Sequence, residues 1–226
     1  MIVVAHPDDE LLGLGGTMNM LIAEYGVKTH VVILGEGITS RSDTRNSEEW
    51  KKELDVHKKN IHDAKDCIGY HGVSIYDFPD NRFDDVNLLD IVKVVEKEKT
   101  QFAPDIIFTH HGGDLNIDHQ RTFEAVITAT RPMEHEKVTT VITFETPSGT
   151  EWQAASDPRR FVPNLFFGIS EKNIDAKIKA MESYEFEKRK YPHPRSPEAL
   201  RIQAQRWGIA VGKAYAEAFV LIRSIN

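Results

Sequence analysis

The chain has 226 residues, of which 40% are hydrophobic and 28% charged, and its formal net charge is −7. This length and composition predict one globular domain over residues 1–226, and no stretch reaches the roughly 20 apolar residues that span a bilayer. The negative charge argues against nucleic acid as a partner, and the single cysteine, Cys67, excludes an internal disulfide and a thiolate metal cage, so we expect a small-molecule partner.

Short β-branched segments alternate with amphipathic ones from the start of the chain to residue 144. The pattern predicts strands at residues 2–5, 29–34, 73–78, 105–109 and 139–144, and helices at residues 16–25, 47–68, 87–101 and 119–130. This alternation predicts an α/β fold with a mainly parallel sheet and helices on both faces. Ligands of such sheets bind at the carboxyl ends of the strands, where the polar segments of this sequence begin.

The pattern changes after residue 144. Residues 145–170 contain three prolines and predict a loop-rich excursion over the site, either a lid or a contact between copies of the chain in a homo-oligomer. Residues 171–226 predict a helical C-terminal part, with helices at 172–188 and 197–223. Ser196 is suited to capping the last of these helices.

The densest polar segment, His6-Pro7-Asp8-Asp9-Glu10, directly follows the first predicted strand. Three anionic groups on one turn repel each other, and a helix dipole offsets only about half a charge. A bound cation resolves this conflict, and imidazole with carboxylate suits zinc or a similar first-row ion. Because Asp8 and Asp9 are adjacent, their side chains diverge, and we expect Asp9 to ligate while Asp8 accepts a proton from water.

A third ligand is expected from residues 110–119, which join the fourth predicted strand to a helix. His119 at the start of that helix is our choice, and it would complete the set with His6 and Asp9. The adjacent His110 and His111 should point apart, so at least one of them is expected to be structural or to support a ligand.

These segments resemble those of the PIG-L or LmbE-like deacetylases, zinc-dependent enzymes that remove the N-acetyl group from sugar amides. The matching residues are 5–10 with Gly13, Gly15 and Gly16, then Asp118-His119, and finally 193–196 and 214–219. The resemblance implies a Rossmann-like fold, metal ligands His6, Asp9 and His119, and Asp8 as the general base. It also implies zinc as the cofactor, with ferrous iron or another divalent cation as the alternative, and an N-acetylglucosamine-type sugar or its conjugate as the substrate.

One position departs from the family's pattern, because many members have histidine three residues before the last ligand and this chain has Asn116. Either Asn116 or His193 is then expected to stabilise the oxyanion of the reaction. His193 lies between two prolines, and Asp118 is expected to orient it. The proton for the leaving amine would come either from Asp8 or from a protonated His193.

Further polar residues follow the second and third predicted strands and are candidates for substrate contacts: Arg41, Arg45, Asp80, Asn81 and Arg82. Carboxylate and amide groups suit sugar hydroxyls, and Arg41 or Arg45 suits a phosphate if the sugar is nucleotide-linked. Residues 80–82 are also of types that are common in turns, so they could form a turn without contacting a substrate.

Other functions compete with this interpretation. A signalling receiver domain also has paired aspartates after its first strand, but it gives His6 and His119 no role and needs a lysine that is not evident here. A metal- or sugar-binding protein of the same fold would lack turnover. The same chemistry could also hydrolyse another amide, such as a thiol-sugar conjugate or an antibiotic precursor. The first residues lack the features of a signal peptide, which predicts a cytoplasmic location.

Overall fold

A computed structural model describes residues 1–42, 45–46 and 48–225 of the chain. The strands in this part are β1 (Ile2–Val4), β2 (His30–Gly35), β3 (Gly72–Phe78), β4 (Ile106–His110), β5 (Thr140–Phe144), β6 (Leu165–Ile169) and β7 (Tyr215–Ser224). They form one sheet in the order β3-β2-β1-β4-β5-β7-β6. Strands β1 to β5 are parallel, and β7 runs antiparallel to β5 and β6. The predicted α/β fold with a mainly parallel sheet is confirmed.

Helices cover both faces of this sheet. They are α1 (Asp9–Tyr25), α2 (Lys51–Ile68), α3 (Leu88–Phe102), α4 (Ile117–Ala129), α5 (Glu171–Met181) and α6 (Pro197–Ala210). Successive residues of a strand face opposite sides, so Ile2 and Val4 pack with α1, α2 and α5, whereas Val3 packs with α3 and α4. No helix of the described residues combines the length and the apolar character that crossing a bilayer requires.

Several helix boundaries differ from the predictions. The first helix begins at Asp9 instead of Gly16, so the charged turn is the helix N-terminus itself. The predicted start of the second helix at Ser47 lies outside the described residues, and α2 begins at Lys51. The fifth helix ends at Met181 instead of Lys188.

The C-terminal part is only partly helical, and the prediction of a helix over 197–223 is wrong. Ser196 caps α6 as expected, accepting a hydrogen bond from the backbone N–H of Ala199 at 3.1 Å, but the helix ends at Ala210. Residues 215–224 instead form β7, which inserts between β5 and β6. A strand buried on both faces shows a continuous apolar run, which periodicity alone does not distinguish from a buried helix. The excursion over residues 145–170 likewise contains β6.

One buried imidazole on α2 should make stability depend on pH. His57 is 2% exposed, and burial, with Arg41 nearby, lowers the pKa of His57 from 6.5 to about 4. Between these values the unfolded chain binds more protons than the folded one, so the free energy of unfolding falls as the pH drops below 6.5. We expect this histidine to contribute about 3 kcal/mol of that loss by pH 4.

Urea unfolding of the metal-free protein from pH 4.5 to 7.5 measures this effect. The His57→Phe variant should show a shallower dependence on pH than the wild type, whereas replacing the exposed His62 of the same helix should leave the dependence unchanged. Equal slopes for the wild type and His57→Phe would rule out this contribution of His57.

Candidate metal centre and active site

Three side chains that the sequence places far apart meet at the carboxyl ends of β1 and β4. Oδ2 of Asp9 lies 3.4 Å from Nδ1 of His6 and 3.4 Å from Nε2 of His119. One ligand atom from each residue lies within 4.8 Å of the others, and all three residues are buried or nearly so. We call these residues the His-Asp-His cluster. The structure therefore brings together the three residues that the sequence predicts as metal ligands.

The turn between β1 and α1 sends two adjacent carboxylates in different directions. Asp8 occupies the N-cap position of α1 with a φ of 97°, a left-handed conformation that is unusual for a residue other than glycine. Asp9 turns back, and its Oδ2 accepts a hydrogen bond from the backbone N–H of His6 at 2.9 Å. Strained backbone of this kind occurs at functional sites, where the surrounding structure maintains it.

A carboxylate outside the cluster orients His6. Nε2 of His6 lies 2.8 Å from Oδ2 of Asp118, and this oxygen also accepts the backbone N–H of Asn81 at 2.6 Å. Oδ1 of Asp118 accepts the backbone N–H of Phe83 at 2.9 Å. The contact between His6 and Asp118 assigns the proton to Nε2 and leaves Nδ1 as the nitrogen available to a metal. The predicted pairing of Asp118 with His193 is therefore wrong, because Asp118 in the first turn of α4 faces the end of β1.

A second carboxylate, which the sequence analysis did not single out, supports His119. Oδ1 of Asp114 lies 3.1 Å from Nδ1 of His119. Asp114 is itself fixed, because its oxygens accept the hydroxyl of Thr150 at 2.6 Å and the backbone N–H of Asn116 at 2.8 Å. The cluster thus has the carboxylate-histidine arrangement that is typical of protein metal sites.

The adjacent histidines of β4 point apart, as expected. His110 stacks on His119 with the ring centroids 3.9 Å apart, and its Nε2 accepts the backbone N–H of Ala5 at 2.9 Å. Burial, together with His119, lowers the pKa of His110 to about 4, so this imidazole is neutral. His111 instead reaches the carbonyl oxygen of Arg159 at 2.6 Å. His110 supports the cluster by packing against His119, and His111 lies outside the cluster.

The charges of the cluster suit a divalent cation. Burial opposes protonation of His119, but Asp9 and Asp114 outweigh it and raise the pKa of His119 to about 9. Burial likewise opposes protonation of His6, and hydrogen bonds to Asp118 and Asp9 raise its pKa above the usual value. A site that attracts protons in this way also attracts a cation, which displaces them on binding. Two imidazole nitrogens and a carboxylate oxygen are ligands that zinc and similar ions prefer.

His6 also belongs to a second group of three possible ligands, together with Asp80 and Asp118. Both carboxylates already accept hydrogen bonds that fix the neighbouring loops. Oδ2 of Asp80 accepts the backbone N–H of Ser40 at 3.1 Å and its hydroxyl at 2.7 Å. The contacts of this second group are therefore explained by the fold itself.

An arginine contacts the remaining carboxylate of the turn. Nη1 of Arg195 lies 2.9 Å from Oδ2 of Asp8 and 3.0 Å from Oε2 of Glu187. Nε of Arg195 donates to the hydroxyl of Ser148 at 2.7 Å. Burial raises the pKa of Asp8 well above its ordinary value, and the guanidinium of Arg195 opposes this rise. The arrangement places a buried carboxylate of high proton affinity beside the His-Asp-His cluster.

A comparison with known protein families identifies the family of this chain. The family model described as "PIG-L: GlcNAc-PI de-N-acetylase" matches residues 1–130, which is more than half of the chain and includes the whole His-Asp-His cluster. The chain belongs to the PIG-L family. This confirms the resemblance that the sequence motifs indicated.

Solved structures that are similar to this PIG-L protein are named for different activities, namely two deacetylases and a hydratase. The N,N'-diacetylchitobiose deacetylase from Pyrococcus horikoshii is 17% identical over 98% of this chain and 82% of its own, with a TM-score of 0.75. A zinc-inhibited form of the teicoplanin deacetylase Orf2 is 16% identical over 100% of both chains, with a TM-score of 0.74. The 4-carboxy-2-hydroxymuconate hydratase GalB from Pseudomonas putida is 22% identical over 100% of this chain and 96% of its own, with a TM-score of 0.72.

These identities show a shared fold, and a shared fold does not establish a shared activity. A comparison with curated proteins gave no match.

Both candidates for an oxyanion donor lie in loops of this PIG-L protein. Oδ1 of Asn116 accepts the backbone N–H of Asp118 at 2.8 Å, capping α4, and its Nδ2 donates to Oδ1 of Asn81 at 3.0 Å. Nδ1 of His193 accepts the backbone N–H of Arg195 at 3.2 Å. Burial and the nearby Arg195 lower the pKa of His193, so its imidazole is neutral and carries its proton on Nε2.

The side chains predicted to contact the substrate differ in their exposure and in whether other residues already bind them. Arg41 pairs with Glu187 and donates to a backbone carbonyl, and Arg45 pairs with Glu36 at 2.8 Å. Asp80 is 3% exposed, whereas Asn81 and Arg82 are exposed at the rim. The two arginines after β2 are thus already neutralised by carboxylates, which argues against a phosphate site built on either of them.

Three charged residues of the site were not predicted from the sequence: Asp114, Glu187 and Arg195. Two of them lie within segments that were singled out from the sequence, since Asp114 belongs to residues 110–119 and Arg195 to residues 193–196. All three side chains are charged, and a charged side chain near a buried site needs a partner of opposite charge or a hydrogen bond. No local pattern indicated which partner each one has.

Proposed function

We propose that this protein is a divalent-cation-dependent deacetylase that hydrolyses the N-acetyl group of an N-acetylglucosamine-type amino sugar or its conjugate. The observation that carries the proposal is the buried carboxylate of Asp8, held by Arg195 next to the His-Asp-His cluster. Membership of the PIG-L family supports it. Two neighbours of the same fold are deacetylases by name, and one of them is a zinc-inhibited form, which supports a site that binds divalent cations. Zinc, ferrous iron and another divalent ion are the candidates for the working cation.

His6, Asp9 and His119 would hold the cation, which supplies the Lewis acidity that polarises an amide carbonyl and acidifies water. Asp118 and Asp114 hold the two imidazoles in the orientation that this task needs. The ring of His110 stacks on that of His119, so the ring of His119 has little freedom to rotate. The protein's contribution is therefore a rigid, preorganised donor set.

Asp8 is the proposed general base, which takes a proton from the attacking water. Arg195 binds Oδ2 of this carboxylate, so Oδ1 is the oxygen that we assign to proton transfer. Its raised pKa makes this carboxylate a stronger base than a solvent-exposed aspartate. Asp8 then returns the proton to the leaving amine, because His193 is neutral and has no extra proton to give.

His193 is the better of the two candidates for oxyanion stabilisation. Among the residues that the structure describes, no group accepts a hydrogen bond from Nε2–H of His193, whereas the side chain of Asn116 already caps α4 and binds Asn81. We expect His193→Ala to lower kcat by about 10²- to 10³-fold, the effect of losing one oxyanion donor. Asn116→Ala should instead destabilise the protein by about 1 kcal/mol through the lost helix cap, with a smaller change in kcat.

Steady-state kinetics and thermal unfolding of both variants separate these roles. Cation content should stay at the wild-type value in each. A larger loss of kcat in Asn116→Ala than in His193→Ala would assign the oxyanion contact to Asn116.

The substrate is proposed to enter over the exposed rim at Asn81 and Arg82, where the guanidinium of Arg82 suits sugar hydroxyls. An acetate-release assay tests the function directly. The zinc-loaded protein is incubated with N-acetylated amino sugars, free and conjugated, with a thiol-sugar amide and an antibiotic precursor as further arms. Acetate from the amino sugars supports the proposal. Cation binding without release from any amide would favour a non-catalytic binding protein and overturn it.

A further inference from the structure

The first helix is broken just after the turn that carries Asp8 and Asp9. Leu14 has φ −150° and ψ 16°, which is not helical, so residues 9–13 form a separate turn before the rest of α1. In an unbroken helix the backbone N–H of Gly16 would donate to the carbonyl of Leu12. A buried break leaves such groups in need of other partners.

Two charged side chains from distant elements supply those partners. Nζ of Lys177, on α5, donates to the carbonyl of Leu12 at 2.8 Å. Glu217, on β7, accepts the backbone N–H of Gly16 at 3.2 Å and that of Thr17 at 2.6 Å. Lys177 and Glu217 also pair with each other at 2.6 Å, and both are 4% exposed. The ion pair thus stands in place of the missing helical hydrogen bond.

The glycines of the first motif make room for this ion pair. A Cβ on Gly16 would lie 2.7 Å from Cδ1 of Ile169 and 3.2 Å from Oε1 of Glu217. A Cβ on Gly15 would lie 3.2 Å from Cγ of Lys177. Of the glycines of α1, Gly16 therefore contacts the segment 214–219 through Glu217. Neither the glycines nor this segment supplies a proposed ligand or the proposed base.

We propose that Lys177 and Glu217 are positioning residues, which fix the first turn of α1 and with it the carboxylates of Asp8 and Asp9. Leu12, which Lys177 holds, lies in the same turn as Asp9, and its backbone N–H donates to the carbonyl of Asp8 at 2.9 Å. A buried ion pair adds little stability over apolar residues of similar size, so its use here is geometric. This inference rests on the proposed function for the roles of the two carboxylates.

The double variant Lys177→Met/Glu217→Gln tests the proposal, because it removes both charges and leaves neither unpaired. We expect it to fold, with a melting temperature several degrees below that of the wild type, because the buried carbonyl of Leu12 loses the hydrogen bond from Lys177. Its affinity for Zn²⁺, measured without substrate by competition with a chromophoric chelator, should fall by about 10- to 100-fold, the effect of losing a supporting partner of a metal site. Its kcat should fall while KM changes little.

The pair of Lys99 and Glu136 provides a matched control, since it is a largely buried ion pair elsewhere in the fold. Lys99→Met/Glu136→Gln should keep both Zn²⁺ affinity and kcat. Wild-type Zn²⁺ affinity and kcat in a folded Lys177→Met/Glu217→Gln protein would overturn the positioning role.

Gly15→Ala serves if the double variant does not fold, because it keeps both charges and crowds only the stem of Lys177. It should lower Zn²⁺ affinity several-fold, and unchanged affinity would again overturn the proposal. A different result would reject the proposed function without rejecting the positioning role. A wild type that binds Zn²⁺ and releases no acetate would reject the deacetylase, while the effect of the variants on Zn²⁺ affinity would still be measured.

Discussion

Asp8→Asn should lower turnover by about 10²- to 10⁴-fold while the protein keeps its cation, because asparagine retains the shape of the side chain and loses its ability to accept a proton. Arg195 keeps a carboxylate partner in this variant, since Glu187 lies 3.0 Å from the same nitrogen. We therefore expect a folded protein. Acetate release and cation content, measured on the same preparation, check both halves of the prediction.

Glu187→Gln is the matched control for Asp8→Asn. It neutralises the other carboxylate that contacts Arg195 and leaves the proposed base in place. We expect a much smaller loss of turnover from it. If Asp8→Asn lost its cation as completely as its activity, Asp8 would be a ligand and another residue would be the base.

His119→Ala should weaken cation binding by more than about 100-fold, beyond what the loss of a supporting residue costs. The side chain lies at the start of α4 and contributes the nitrogen that comes within 3.4 Å of Asp9. Without it, His6 and Asp9 remain as two ligands, which is one fewer than catalytic zinc sites use. Chelator competition gives the affinity, and elemental analysis after gel filtration gives the cation content.

The neighbouring residue His111 offers the control for this variant, because it is also a histidine after β4 but points to the carbonyl of Arg159. His111→Ala should bind the cation like the wild type. Equal cation content in His119→Ala and His111→Ala would remove His119 from the coordination set.

Most of the fold could be predicted because its signals are local. Strands β1 to β5 are short β-branched segments, and turns or helices punctuate them at regular intervals. The two antiparallel strands could not be predicted in the same way. Residues 215–224 have an apolar pattern that fits a helix or a buried strand, and their pairing with β5 decides between them.

Much of the candidate site could also be predicted, since metal ligands have characteristic residue types and strand ends converge in a parallel sheet. His6, Asp9 and His119 were recognisable for that reason, and they do lie together. The supporting residues were not recognisable. Asp118 is adjacent to His119 in the sequence but hydrogen-bonds to His6, which is 112 positions away.

The sequence by itself determined the alternation of strands and helices, the polar segments that end the strands, and a set of groups able to hold a divalent cation. These properties follow from residue type and spacing within about 20 positions. Only the tertiary structure decided that Arg195 contacts Asp8, 187 positions away, and that Lys177 and Glu217 bridge the break in α1. Contacts of this kind form when distant elements pack and bury polar groups that then need partners, and no periodicity in the chain encodes which partners they find.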